Sequence, residues 1–240
     1  MSEPATTATP AAPTIVEPSP IARGPIARSP IPPAPPVVVR EGWEVSARST
    51  TATLTLIDCA PLAKFQVRAP IGGRAATELG VRFGRAARGG DGTLIVGSGP
   101  GEWLLIGPPN HGQAIAARLA DVVAHAPDEL VTFVEQTHGR ALMRVKGSSA
   151  AAVLAKVCGI DWSDDVTPDG AALRSAVAAV ATDIIRDDQD GARSYLLHCE
   201  RSSGQYLFDA LLDAGVEFGM EIGGLFAPDA EGANHHGDPP

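Results

Sequence analysis

Chemistry in this chain would have to come from a few places where reactive or anion-holding residues cluster. The first is "SGPGEWLLIGPPN", residues 98–110, where Gly99 and Gly101, with Gly97 just ahead of the stretch, precede Trp103, Leu104, Leu105 and Ile106. A glycine loop cradles a phosphate when it opens a helix, because free amides and the helix dipole then face the anion. Here no Lys-Ser/Thr pair follows the glycines, and the run behind them is rich in β-compatible residues. The glycines therefore turn a hairpin, and Trp103 starts a buried strand as its structural anchor. The second place is Gly72-Gly73-Arg74, a weaker phosphate candidate ahead of a short helix; a Gly-Gly turn after a strand needs no ligand.

Nucleophilic and metal chemistry find less support. No G-x-S-x-G elbow occurs. His138, in "EQTHGRA", precedes Gly139 at a turn between strands, which suits a turn role over a general base. His198 and Cys199 are adjacent within a strand, so their side chains face opposite ways and do not act as a pair. Asp161, Asp164, Asp165 and Asp169 surround Trp162 and Pro168 but miss the calcium-loop spacing, as expected of a solvated loop. His235 and His236 lack further ligands at usable spacing. Cys59, Cys158 and Cys199 are scattered and odd in number, which argues for buried reduced thiols in a cytoplasmic protein over disulfides or zinc. Residue by residue, no catalytic, cofactor-binding or metal-ligating position is assigned.

The elements that would position such residues alternate regularly. The sequence predicts strands over 63–69, 92–98, 102–107 and 130–136, with helices over 72–80 and 111–126, an order of β-α-β-β-α-β. A second unit follows: a strand over 140–147, a helix over 148–158 capped by Ser148 or Ser149 and closed by Gly159, two β segments within 172–188 broken near 178–181, a strand over 194–200 and a helix over 202–215. The expected fold is α+β, built as two successive ferredoxin-like split βαβ units. Eleven of the 21 prolines lie between Pro4 and Pro36, so residues 1–40 are expected to form a disordered Pro-rich arm outside the core. Residues 41–222 would form the domain and 223–240 a short disordered tail. A net charge of −9 disfavours nucleic-acid binding, no apolar run reaches the roughly 18 residues of a membrane span, and no secretory signal opens the chain.

Three stretches together resemble a known family. "GPGEWLLIGPP", "VEQTHGRALMRVKGSSAAAVLAKVCGIDW" and "SYLLHCERSSGQYLFDALLDAG" are similar to the gamma subunit of heterotetrameric sarcosine oxidase, whose fold looks like the folate-binding fold of the glycine-cleavage T-protein. The family's Gly-Pro-Asp-Glu-Trp-Leu-Leu signature is matched by residues 99–105, with Gly101 in place of the Asp. Its Asp-Val-Ser-His is replaced by Glu135, Gln136, Thr137 and His138, and its V-x-G-x-x-A feature is matched by Val145, Gly147 and Ala150. The resemblance implies an auxiliary subunit partnered by alpha, beta and delta subunits. The parent complex would oxidise sarcosine to glycine, reduce oxygen to peroxide and pass the one-carbon unit to tetrahydrofolate. It would use FAD, FMN, NAD and tetrahydrofolate, held mainly by the alpha and beta subunits, with none bound by this chain. The alternative it leaves open is a free-standing folate-binding or aminomethyl-transfer protein of the T-protein type.

Overall fold

The computed structural model describes residues 25–226. In chain order the strands and helices are β1 (Ala27–Arg28), β2 (Val37–Arg40), β3 (Trp43–Ser46), β4 (Leu54–Asp58), β5 (Ala63–Arg68), α1 (Arg74–Leu79), β6 (Ala86–Arg88), β7 (Leu94–Gly99), β8 (Glu102–Gly107), α2 (Gly112–His125), β9 (Thr132–Glu135), β10 (Arg140–Gly147), α3 (Ala150–Val157), β11 (Ala172–Val177), β12 (Val180–Arg186), β13 (Ser194–Glu200), α4 (Gly204–Gly215) and β14 (Glu221–Gly223).

The first unit runs β5-α1-β7-β8-α2-β9, and its antiparallel sheet has the order β6-β7-β8-β5-β9. That is the ferredoxin-like arrangement, with β6 added at one edge. The second sheet has the order β11-β12-β13-β10-β4-β14. It is a second ferredoxin-like sheet extended by β11 at one edge and by β4, which lies antiparallel to β10 and parallel to β14. Because β4 precedes the first unit in the chain, that unit is an insertion between two neighbouring strands of the second sheet.

The period-two alternation of each strand decides the layering. In the first sheet Phe65, Val67, Ile95, Trp103 and Leu105 face α1 and α2, which contribute Leu79, Ile115 and Leu119. In the second, Met143, Val145, Tyr195, Leu197 and Ile184 face α3 and α4, which contribute Val153, Leu154, Leu207 and Leu211. The opposite faces meet each other: Leu94, Val96, Leu104 and Ile106 pack on Leu142, Ile185 and Leu196. The molecule is thus helix, sheet, sheet, helix, and its strands are buried on both faces.

Gly147 explains why a glycine ends β10. Its φ is +143°, and a Cβ there would sit 2.1 Å from the Thr53 carbonyl oxygen, the backbone that leads into β4. The close approach lets β4 seat beside β10.

Residues 25–40 depart from the expectation that the Pro-rich stretch keeps out of the core. Ile31 is buried among Leu54, Met143 and Phe208, and β1 and β2 flank β3 in a small three-stranded sheet. Proline excludes helix and central strands, yet a short edge strand and a single apolar plug are compatible with it. Residues 1–24, and residues 227–240 with His235 and His236, lie outside the described residues. Of the expected tail, Gly223 completes β14 and residues 224–226 continue against the body: Leu225 and Phe226 pack beside the apolar clusters of the sheets. Gly159 stands at the C′ position expected after α3, but Cys158 caps the helix in extended geometry and Gly159 does not take a positive φ.

Candidate functional site

Where the two sheets meet, their polar inward side chains are brought together from distant parts of the chain. At one mouth of the interface lies a cavity of about 330 Å³. Ile57, Leu94, Ile106 and Leu196 form apolar walls, and Cys59, Arg88 and Arg144 supply the reactive or charged groups. Arg88 comes from the first sheet, and Arg144 from the second. Both guanidiniums converge on Asp187, just beyond β12: Arg88 Nη2 lies 2.7 Å and Arg144 Nη2 2.8 Å from the same Oδ2 atom. Arg144 also donates to the Asp187 carbonyl oxygen at 3.2 Å and to the Ser194 hydroxyl. Asp187 therefore clamps one sheet to the other.

The cavity is equipped to bind more than to react. Burial pushes the Cys59 thiol up to about 11, against a smaller opposing effect of Arg144, so it stays protonated at neutral pH and is a poor nucleophile. Asp187 is held by two cations and is not a free base. Two arginines sharing one carboxylate leave the wall with a positive excess, which favours an anionic group on any ligand that enters.

Deeper between the sheets, Lys64 is fully buried. Its ammonium donates to the carbonyls of Ala60 at 2.7 Å and Leu62 at 2.8 Å. Burial draws its pKa down to about 8, with Asp58, Cys59 and Glu135 acting the other way. On the same interface His198 Nδ1 lies 3.0 Å from Asp183, which also accepts from Arg174 Nε at 2.6 Å. Burial lowers the His198 pKa, with Asp183 opposing, so the ring is neutral and donates through Nδ1. Its Nε2 is buried with no partner. The pair has the geometry of a base and its orienting carboxylate, but at 2% exposure it has no approach for a substrate.

The residues singled out in the sequence do not assemble into one site. Pro100 and Gly101 turn the β7–β8 hairpin, with Gly101 at φ +70°. Trp103 is buried, and its indole N–H donates to the Val81 carbonyl at 2.6 Å. The Gly72-Gly73 candidate is already filled: the Glu129 carboxylate accepts from the amides of Arg74 at 2.5 Å and Ala75 at 3.2 Å, where a phosphate would sit. His138 stacks on Trp43 with ring centroids 4.8 Å apart, in the turn expected for it. His198 and Cys199 do face opposite sides of the sheet, one toward Asp183 and the other into the outer core. Asp164 pairs with Arg186 and Arg193, while Asp161 and Asp169 accept backbone amides. Among the described residues no group of three His, Cys, Asp or Glu could hold a metal ion.

Two ferredoxin-like sheets packed face to face, the first inserted into the second, define the aminomethyltransferase folate-binding type of α+β domain. The chain belongs to the family described as the GCVT N-terminal domain, whose model matches residues 108–232. A chain of the heterotetrameric sarcosine oxidase from Corynebacterium sp. U-96, solved in complex with pyrrole 2-carboxylate, superposes with a TM-score of 0.59 at 23% identity over 71% of this chain and 87% of that one. The glycine cleavage system aminomethyltransferase T from Bartonella henselae superposes with a TM-score of 0.61 at 17% identity over 79% of this chain and 55% of that one. The chain thus spans about half the length of that aminomethyltransferase. A search among curated proteins found no match. Among the described residues no helix is long and apolar enough to cross a membrane.

Proposed function

We propose that this chain is an auxiliary, gamma-type subunit of a cytoplasmic heterotetrameric sarcosine oxidase. It acts by assembly with alpha, beta and delta subunits and has no catalytic residues of its own. The parent complex demethylates sarcosine to glycine with FAD, FMN, NAD and tetrahydrofolate held by the other subunits. The observation that carries this reading is extent. The fold accounts for 87% of a sarcosine oxidase chain but only 55% of an aminomethyltransferase T. The match to the oxidase covers nearly all of one of its chains, which supports a subunit role.

The chemistry of the cavity supports the same reading. The 2-amino-pyrimidinone edge of a folate presents adjacent N–H donors, which a free carboxylate matches best. Among the described residues no carboxylate lines this cavity, and Asp187, the partner of its two arginines, is occupied by Arg88 and Arg144. The residues present do not fit a pterin, and folate chemistry falls to the other subunits.

The test is turnover by the purified chain alone, followed as peroxide release from sarcosine. No release is expected from the isolated chain, with activity only when the flavin-bearing subunits are supplied. Steady turnover by the single subunit would overturn the proposal. Stoichiometric binding of tetrahydrofolate by the isolated chain would favour the T-protein alternative instead.

A further inference from the structure

On the helix-covered side of the first sheet, away from the cavity between the sheets, lies a larger groove of about 580 Å³. The hairpin turn Gly99-Pro100-Gly101 and Trp103 form one wall, and Ala76, Thr77 and Gly80, along α1 and just past its end, form another. Ile71 and Phe83 stand at its edges with 76% and 62% of their surfaces exposed. Leaving two such side chains in water together is unfavourable, and contiguous apolar surface of this kind marks a contact site.

The charge around the groove says what kind of contact. The chain as a whole is acidic, yet Arg74 and Arg82 fall in the segments that build this groove, whereas Lys64 is buried and Arg68 and Arg88 are committed to Glu102 and Asp187. Arg82 lines the groove. Arg74 precedes Thr77 by three residues on α1, which puts both on one helical face. Neither guanidinium has a carboxylate partner among the described residues, whereas Glu78 is engaged by His125, and Glu102 by Arg68 and Arg174. Arginine is well suited to bidentate carboxylate recognition at interfaces. An apolar slot bordered by uncommitted arginines in an acidic protein complements a segment with the opposite features.

We infer that this groove is the docking site for a segment of a partner subunit that presents an apolar anchor side chain flanked by Asp or Glu. The anchor enters between Ile71 and Phe83, and the carboxylates meet Arg74 and Arg82. The inference rests on the subunit assignment above for the identity of the partner, but not for the recognition chemistry. The "GPGEW" stretch then has a role beyond its turn: it builds the wall against which the anchor packs.

Two measurements separate the groove from the subunit assignment. The first coexpresses the full chain with the alpha, beta and delta subunits and compares wild type with Phe83→Ser, Arg82→Glu and the control Val216→Ser, which alters another exposed apolar residue. Loss of co-elution by the first two variants, with circular dichroism and melting unchanged, supports the groove; an assembly that survives both substitutions overturns it. Absence of any assembly with the wild-type chain overturns the subunit assignment and leaves the second measurement to decide the groove. That measurement titrates the isolated chain into a fluorescein-labelled peptide with one central Phe flanked by two Glu on each side, and into its Lys-flanked counterpart. The Glu peptide is expected to bind about tenfold or more tightly than the Lys peptide, to weaken with salt, and to lose about tenfold on Phe83→Ser. Equal binding of the two peptides, or indifference to Phe83→Ser, overturns the recognition chemistry. Sedimentation covers the other occupants. A dimer dissociated by Phe83→Ser would assign the groove to a second copy, and tighter peptide binding after truncation beyond Phe226 would assign it to the chain's own acidic C-terminus; either contradicts the inference.

Discussion

Asp187→Asn probes the joint between the two sheets. The substitution keeps shape and removes one charge. Arg144 and Asp187 each have only 8% of their side chains exposed, so the variant leaves a buried guanidinium without its counter-ion. Removing one partner of such a pair typically costs about 3–5 kcal/mol. Arg144 keeps two neutral acceptors, the Asp187 carbonyl and the Ser194 hydroxyl, which places the expectation at the low end, about 3 kcal/mol. Arg88, 45% exposed, can rehydrate and adds no more than about 1 kcal/mol. Arg144→Met alone leaves Asp187 partnered by Arg88 and should cost less. The double variant removes the stranded charge, so its loss should fall short of the sum of the single losses by about 2 kcal/mol. Urea unfolding followed by circular dichroism for the four proteins measures this coupling. A loss below about 1 kcal/mol for Asp187→Asn, the level of ordinary surface changes, would refute the argument, as would strict additivity.

Trp103→Ala should cost roughly 3–5 kcal/mol, whereas Trp103→Phe, which keeps an aromatic ring but strands the Val81 carbonyl and leaves a smaller void, should cost about 1–3 kcal/mol by the same unfolding assay. Lys64 gives a pH signature. Its folded pKa of about 8 lies below the ordinary 10.5, so the unfolded chain binds the extra proton between these values and stability rises with pH across that window. The slope is at most about 1.4 kcal/mol per pH unit, and subtracting the curve of Lys64→Met isolates it from the opposing titration of Cys59 and Cys199, both raised to about 11 by burial. Ile31→Ala should destabilise by about 2–4 kcal/mol, against an expectation of no effect for a residue in a solvated arm.

The sequence carried the local signals well and the long-range ones poorly. The strand over 140–147 and both βαββ orders follow from alternation and glycine punctuation, which are properties of neighbouring residues. The break expected near 178–181 is the β11–β12 turn at Ala178 and Ala179, whose φ values of 46° and 66° are unusual for alanine, and no glycine or asparagine there marks the type of turn. β4 alternates Leu54 with Leu56, but its place between β10 and β14 depends on partners about ninety and 165 residues away in the chain. The cavity residues were hidden for a related reason. Lys64 and Arg144 occupy the polar phase of alternating strands, a phase that ordinarily faces water. Only the packing of one sheet on the other turns that face inward and joins Arg88, Arg144 and Asp187. The Pro-rich composition likewise concealed Ile31, a single apolar residue whose burial depends on the tertiary contact.

The claim that the chain works as a subunit is tested most directly by native mass spectrometry of the coexpressed assembly. The chain contributes 24.7 kDa, and the account predicts one copy bound with one each of the alpha, beta and delta subunits in a species that also oxidises sarcosine. A fully active complex of the other three subunits that forms without this chain, while the chain elutes alone, would contradict it.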